Sequence, residues 1–268
     1  VSHLDLTRDE HAYFFGFFQT DGHLSAGPGG KGRAAIEVSA RDIDTLYAFS
    51  ELFPDVPSSV TERSRATNFS RLHRSATWSA QVRSFREELI ACGVPVGRKS
   101  DALRPPTVPF DPRGYLRGLI DGDGSVGFTG AGRPFISLTT ASEAIAAYFC
   151  GQVLSVTGAR RTPGRNRRDQ VFGPMVASDP AATLAAWLYP AGCLALARKA
   201  AAAEAVAAWR RPAAMRARAL SRRAWTPEED EVVRSRTIKE AAEQLGRTEQ
   251  SVNLRRWRLR QRAQAELV

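Results

Sequence analysis

Two stretches of the chain share one pattern of apolar and small residues. Phe14-Phe15-Gly16-Phe17-Phe18-Gln19-Thr20-Asp21-Gly22 and Leu116-Arg117-Gly118-Leu119-Ile120-Asp121-Gly122-Asp123-Gly124 each place a glycine third in an apolar run and close on an acid and a glycine. Each run predicts an apolar helix. Thr7 followed by Glu10 has the spacing of a capping box for the first helix, and Asp111-Pro112 offers an N-cap and an N1 proline for the second. Gly22 and Gly124 are expected to end the helices in a left-handed conformation. Gly16 and Gly118 let two helix backbones come close, so each copy is the expected partner of the other.

Behind each copy the polar pattern shifts to a strand period. In the first half, strands are expected at 23–25, 31–40, 58–67 and 71–82, with a glycine-rich turn at 27–32. Asp42 starts a helix to Phe53 with Leu46, Phe49 and Leu52 on one face, and Ser84 with Glu87 starts another to about Cys92. After a proline-rich linker the order returns. Strands are expected near 125–129, 134–140, 159–163 and 170–177. Helices open at Thr140 with Glu143 and at Asp179-Pro180, and an alanine-rich helix covers about 192–209. This internal duplication predicts an α+β fold of two pseudo-symmetric αββαββα domains with saddle-shaped antiparallel sheets. The domain bounds are 1–100 and 113–209 around a linker at 101–112, then a basic connector at 210–224 and a small all-α domain at 225–262.

That last segment carries three helix starts. Thr226, Pro227 and Glu229 supply N-cap, N1 and N3 of the first, Thr237 with Glu240 opens the second, and Thr248 caps the third. Trp225, Ile238, Ala242, Leu245, Val252 and Trp257 are the expected core. The segment resembles a Myb/SANT-like helix-turn-helix, with Ile238 where that family has a central tryptophan. The resemblance implies a third helix in the major groove, with Gln250, Ser251 and Asn253 toward bases and Arg255 and Arg256 toward phosphates. A SANT-type protein-binding module is the alternative, against which the positive charge of that helix argues.

The doubled stretch resembles the LAGLIDADG signature of homing endonucleases, in the single-chain form with two motifs. A single copy reads equally as a core helix with a solvated acid before a stop glycine; two copies, each opening a similar block, argue against that. Packed about a pseudo-twofold axis, the helices would bring Asp21 and Asp123 together. Each carboxylate there faces the negative end of a helix dipole and a second carboxylate, an arrangement that becomes favourable once divalent cations bind. The resemblance implies two or three Mg²⁺ held by Asp21 and Asp123 with the carbonyls of Gly22 and Gly124. Mn²⁺ would substitute and Ca²⁺ would bind without turnover. It implies hydrolysis of both strands of duplex DNA across the minor groove, leaving 3′ overhangs. It also implies lysines near the scissile phosphate, and each repeat ends in Arg-Lys, giving Lys99 and Lys199 as candidates. Asp121, where the first copy has Gln19, is expected to pack at the helix interface. The polar residue that orients water in this family falls near Ala40 and Thr140, which leaves that role unsupported in the first half.

The sheets would leave one face for DNA. Lys31, Arg33, Glu37, Arg63, Arg65, Arg71, His73 and Arg74 are candidate contacts in the first half, and Arg133, Arg160, Arg161, Arg165, Arg167 and Arg168 in the second. For any one arginine a solvated sheet face is as good a reading; the set on matched hairpins favours DNA, and the 160–168 run also reads as a basic loop on phosphate.

Charge adds to the picture. The 268 residues carry a formal net charge of +10, which points to a polyanionic partner. Residues 210–262 hold 15 Lys+Arg against 7 Asp+Glu, whereas 1–209 hold 23 against 20, so the tail supplies most long-range attraction. Of 38 basic residues only Lys31, Lys99, Lys199 and Lys239 are lysines. Cys92, Cys150 and Cys193 are far apart without zinc or disulfide spacing, as in a reducing compartment. With no run near 18 apolar residues and no signal-peptide pattern, the expectation is a soluble monomer of the cytoplasm or nucleoid that binds duplex DNA and no membrane. Two rivals keep the same scaffold: a non-cutting transcriptional regulator, which would be expected to lose the metal-binding acids, and an RNA-splicing maturase.

Overall fold

A computed structural model describes residues 2–27, 31–67, 70–97, 100–166, 168–212 and 224–265, without the side chains at 26, 65–67, 70–73 and 262–265. Two compact units divide the chain, 1–211 and 212–268.

The first unit is built on the two motif helices, α1 (Asp9–Asp21) and α4 (Pro112–Asp123). Their seam is backbone against backbone. A Cβ on Gly16 would collide with the Tyr115 carbonyl, one on Gly118 with the Tyr13 carbonyl, and one on Gly114 with the Asp9 carbonyl. Asp111 caps α4 by accepting from Gly114 N at 2.6 Å, with Pro112 at the first turn. The expected Thr7 box is not formed. Arg8 holds the cap position of α1 without a side-chain bond, because Thr7 Oγ1 donates instead to Asp5 Oδ1 at 2.6 Å. Gly22 (φ −79°) and Gly124 (φ −101°) are extended rather than left-handed, since each helix runs straight into a strand. Glycine is needed there for space: a Cβ on Gly124 would lie 2.7 Å from both the Ile120 and Ser137 carbonyls.

After α1 come β1 (Gly22–Ala26), β2 (Gly32–Ser39), α2 (Ile43–Leu52), β3 (Ser58–Thr67), β4 (Ser70–Ala80) and α3 (Arg83–Ala91). The strands form one antiparallel sheet in the order β1-β2-β4-β3. Its buried face, with Leu24, Ile36, Val38 and Trp78, meets an aromatic cluster. In that cluster the Phe14 ring lies 4.7 Å from Phe53 and 5.0 Å from Phe49. Neither Asp42 nor Ser84 caps its helix by a side-chain bond.

The second half holds β5 (Gly124–Phe128), β6 (Pro134–Leu138), α5 (Glu143–Thr157), β7 (Met175–Ala177), α6 (Asp179–Leu188) and α7 (Ala197–Ala208). Among the described residues its sheet has three strands, β5-β6-β7, where four were expected. The 159–163 stretch is not a strand, and before β7 isolated bridges join Phe172 to Thr140 and to Arg165. Pro163-Gly164 and Gly173-Pro174 explain the gap, since proline offers no ladder donor and glycine weakens strands. Ser142 rather than Thr140 caps α5, accepting from Ile145 N at 3.2 Å.

The second unit contains α8 (Pro227–Ser235), α9 (Ile238–Leu245) and α10 (Glu249–Ala265) around Val233, Ala241, Ala242, Val252 and Leu259. Both expected capping boxes form, Thr226 with Glu229 and Thr237 with Glu240, and Thr248 Oγ1 accepts from Ser251 N at 3.2 Å. Trp257, expected in the core, is 57% exposed. The inner stripe of α10 is completed instead by arginines: Arg255 Nε donates to Asp230 at 2.6 Å and Arg256 Nε to the Val233 carbonyl at 2.8 Å. Trp225 packs partly buried on this core under the Arg247 guanidinium, 3.9 Å from its ring centre.

Candidate functional site

At the seam's end a Cβ on Gly122 would fall on the Thr20 side chain, so the last turns of α1 and α4 touch. The next residues on each strand of the seam are Asp21 and Asp123, both exposed. The two acids therefore leave neighbouring helix ends.

Just inside them the helices interlock by matched polar contacts. Tyr13 of α1 donates to Asp121 of α4 at 2.9 Å, and Tyr115 of α4 donates to Gln19 of α1 at 2.5 Å. Gln19 Nε2 continues to the Arg104 carbonyl at 3.0 Å. Asp121 accepts two further bonds, from Tyr189 OH and Leu196 N, each at 2.7 Å. Burial holds the Asp121 carboxyl above the usual range against these donors. The same burial, reinforced by the Asp121 charge, pushes the Tyr13 and Tyr189 hydroxyls well above theirs. Asp121 is thus an interior acid that pins the start of α7 to α4. Arg117, fully buried, crosses the seam to Asp9 and donates to the Leu188 and Leu194 carbonyls at 2.9 Å.

Lys199, on the first turn of α7, is 6% exposed. Its Nζ donates to the carbonyls of Ile120 and Asp121 at 2.6 Å and of Gly124 at 2.9 Å. The ammonium therefore caps the C-terminal end of α4, and the Gly124 carbonyl, expected as a metal ligand, is taken by it. Burial lowers its pKa to about 8, against the opposing charges of Asp121, Asp21 and Asp123. Lys99 lies outside the described residues.

Beside Asp21 a hollow of about 340 Å³ is lined by Glu37, Ser39, Arg41, Asp42, Ser75 and Arg198. Arg198 Nε donates to Asp42 Oδ1 at 3.1 Å, tying α7 to the first half. The Ser75 hydroxyl is buried without a hydrogen-bond partner. Sequence reasoning had Glu37 as a DNA contact and Asp42 as a helix start, and missed Ser39, Arg41, Ser75 and Arg198. Only the tertiary fold brings strands β2 and β4 and the α7 start to one helix end, although the Arg198-Lys199 pair was visible.

Strand register sorts the expected DNA contacts. Arg33 pairs with Ser25, Glu37 with Thr77, and Arg63 with Ser75, on the sheet face opposite Ile36 and Trp78. That face is rich in hydroxyls. Arg74 falls on the other parity, opposite Ser64, and donates to Glu62 at 2.8 Å. Arg65 pairs with His73, and Arg71 lies on β4, with none of these side chains described. Lys31 and Arg133 are exposed. Arg160 and Arg161 border a hollow with Cys150 and Leu154 of α5 rather than a strand ribbon, and Arg161 Nε donates to the Met175 carbonyl at 3.1 Å. The Arg165 guanidinium stacks 4.9 Å over Phe172, Arg168 is exposed, and Arg167 lies outside the described residues. In the second unit Gln250 and Asn253 are exposed and Ser251 is half-buried, while Arg255 and Arg256 are engaged inside the unit.

The architecture is α+β, and a family model described as a LAGLIDADG-like domain matches residues 111–155. No curated protein matches the chain. Among solved structures it is similar to the homing endonuclease I-WcaI bound to its DNA recognition sequence, at 10% identity and TM-score 0.49 over 73% of this chain and 87% of that one. It is similar to the meganuclease I-SmaMI bound to uncleaveable DNA, at 10% identity and TM-score 0.47 over 77% and 89%. Full-length DUF199/WhiA from Thermatoga maritima is similar at 11% identity and TM-score 0.45, over 96% of this chain and 92% of that one.

Proposed function

We propose that the chain is a site-specific endonuclease for duplex DNA, hydrolysing phosphodiesters at the paired ends of α1 and α4. The observation that carries this reading is the exposed pair Asp21 and Asp123 at touching helix ends. Two carboxylates are hard oxygen donors suited to Mg²⁺, and the negative end of α1 adds to the attraction. Among the described residues no cluster of three His, Cys, Asp or Glu occurs, so waters and phosphate oxygens would complete any shell. Bound there, the cation would supply charge neutralisation of the scissile phosphate and activation of water.

The chain's own groups divide the rest of the work. Asp21 and Asp123 would hold the cation. Arg33, Glu37 and Arg63, among the serines and threonines of the first sheet, fix the register of the duplex. Arg41 and Arg198 stand beside Asp21 where a phosphate would come. Lys199 supports the reading as a positioning residue: by capping α4 it sets the direction in which the Asp123 backbone leaves the helix. The second unit extends binding with α10.

A second reading is a DNA-binding regulator without cleavage, favoured by the engagement of Lys199 with three carbonyls rather than with solvent. Asp123→Asn separates the two. The expected result is loss of Mg²⁺-dependent cleavage of a selected duplex, with affinity retained within a few-fold. Undiminished cutting by the variant would falsify the metal assignment, and no cutting by the native chain on any library member would favour the regulator.

A further inference from the structure

The outer face of α10 carries a feature the function above does not use. Val252, Arg255, Arg256 and Leu259 form its inner stripe, at helical spacing. On the opposite side Gln250, Leu254, Trp257 and Gln261 recur at intervals of three and four, all exposed. Leu254 is 47% and Trp257 57% exposed. Arg258 and Arg260, also exposed, lie to either side of this line, since one residue on an α-helix turns about 100°. The result is a ridge of apolar and amide side chains with a guanidinium on each flank.

We infer that this ridge enters a DNA major groove and reads thymine 5-methyl groups through Leu254 and Trp257. The inference rests on the reading that the second unit binds DNA. A major groove is about 12 Å wide, admits one helix, and has phosphates on both walls. Guanidinium groups on the two flanks match those walls, and the charge complementarity selects a polyanion over an apolar partner. What lies at the groove floor must then suit Leu254 and Trp257. The only apolar group there is the thymine methyl, while Gln250 and Gln261 suit the amide-like edge of adenine. The segment bound by α10 is accordingly rich in A·T pairs.

The test uses the full chain and a duplex selected from a randomised library. Thymines in the segment contacted by the C-terminal unit are replaced by uracil, which removes only the methyl. Affinity of the native chain should fall about fourfold per contacted methyl, from the transfer free energy of one methylene. Trp257→Ala and Leu254→Ala should bind the two duplexes alike. Both side chains are exposed, so thermal melting of the variants should match the native chain. An Arg258→Gln, Arg260→Gln variant distinguishes the layers. If it leaves affinity and salt dependence unchanged, the reading that the unit binds DNA fails. If it weakens binding but the native chain ignores the uracil exchange, or the selected segment holds no thymine, the ridge does not read methyl groups. Concentration-dependent self-association abolished by Trp257→Ala, with DNA affinity intact, would likewise overturn the inference.

Discussion

At Gly118 the missing side chain is the structural requirement itself. A Cβ there would overlap the Tyr13 carbonyl and stand 2.6 Å from Phe17 N, both backbone atoms of the facing helix that no rotamer change can move. Gly118→Ala should therefore force α1 and α4 apart and destabilise the first unit by about 1–3 kcal/mol, the usual cost of overpacking. The measurement is the denaturant midpoint; an unchanged midpoint would mean the seam is looser than the backbone contacts indicate. Spacing in the sequence located this glycine and its partner Gly16. It did not locate Ser75, and it read Asp42 only as a helix start; both gain meaning beside Asp21. It misjudged Trp257 as core because a large aromatic usually is. The inner stripe of α10 holds arginines instead, bonded to Asp230 and to carbonyls.

Between elements, the decisive contact is the carboxylate of Asp121. It joins α1 through Tyr13, the end of α6 through Tyr189, and the start of α7 through Leu196 N. Helix pattern alone indicated an interface residue at this position. The donors come from residues far apart in the chain, which no local pattern could pair. A pH dependence follows. Burial first, and the Asp121 charge second, raise the Tyr13 and Tyr189 hydroxyls well above their usual value near 10. In the unfolded chain these tyrosines ionise near pH 10, while in the folded chain they stay protonated. The folded state then binds more protons, so their stabilisation is complete below about pH 10 and is lost as pH rises above it. The thermal midpoint should fall between pH 9.5 and 11, values chosen about the free tyrosine pKa, and fall less in Tyr13→Phe, Tyr189→Phe. Identical slopes in the two proteins would remove these hydroxyls as the cause.

Across the whole molecule, the charge sits unevenly between two units that each have a core of their own. Deleting residues 224–268 should leave the first unit folded, as checked by its thermal transition. The truncated chain should bind DNA more weakly and with a shallower dependence on salt, because fewer counterions are released. An affinity and slope equal to those of the full chain would exclude the second unit as a DNA contact. The same scale shows where duplication was an imperfect guide. Among the described residues the first half builds a four-stranded sheet, whereas the second pairs three strands and a bridge at Phe172, its fourth place interrupted by Pro163 and Pro174.

By itself the sequence determined the repeated helix, its glycine seam, the acids at its two ends, and the caps of the small C-terminal unit. Those features depend on steric room and hydrogen bonds a few residues apart, which a linear pattern records. Only the tertiary structure decided that Lys199 closes the end of α4, that Asp121 faces inward to three donors, and that Arg74 and Arg63 lie on opposite faces of their sheet. Those outcomes depend on which distant donors and acceptors become neighbours once water is excluded, and burial then dictates that each must find its partner.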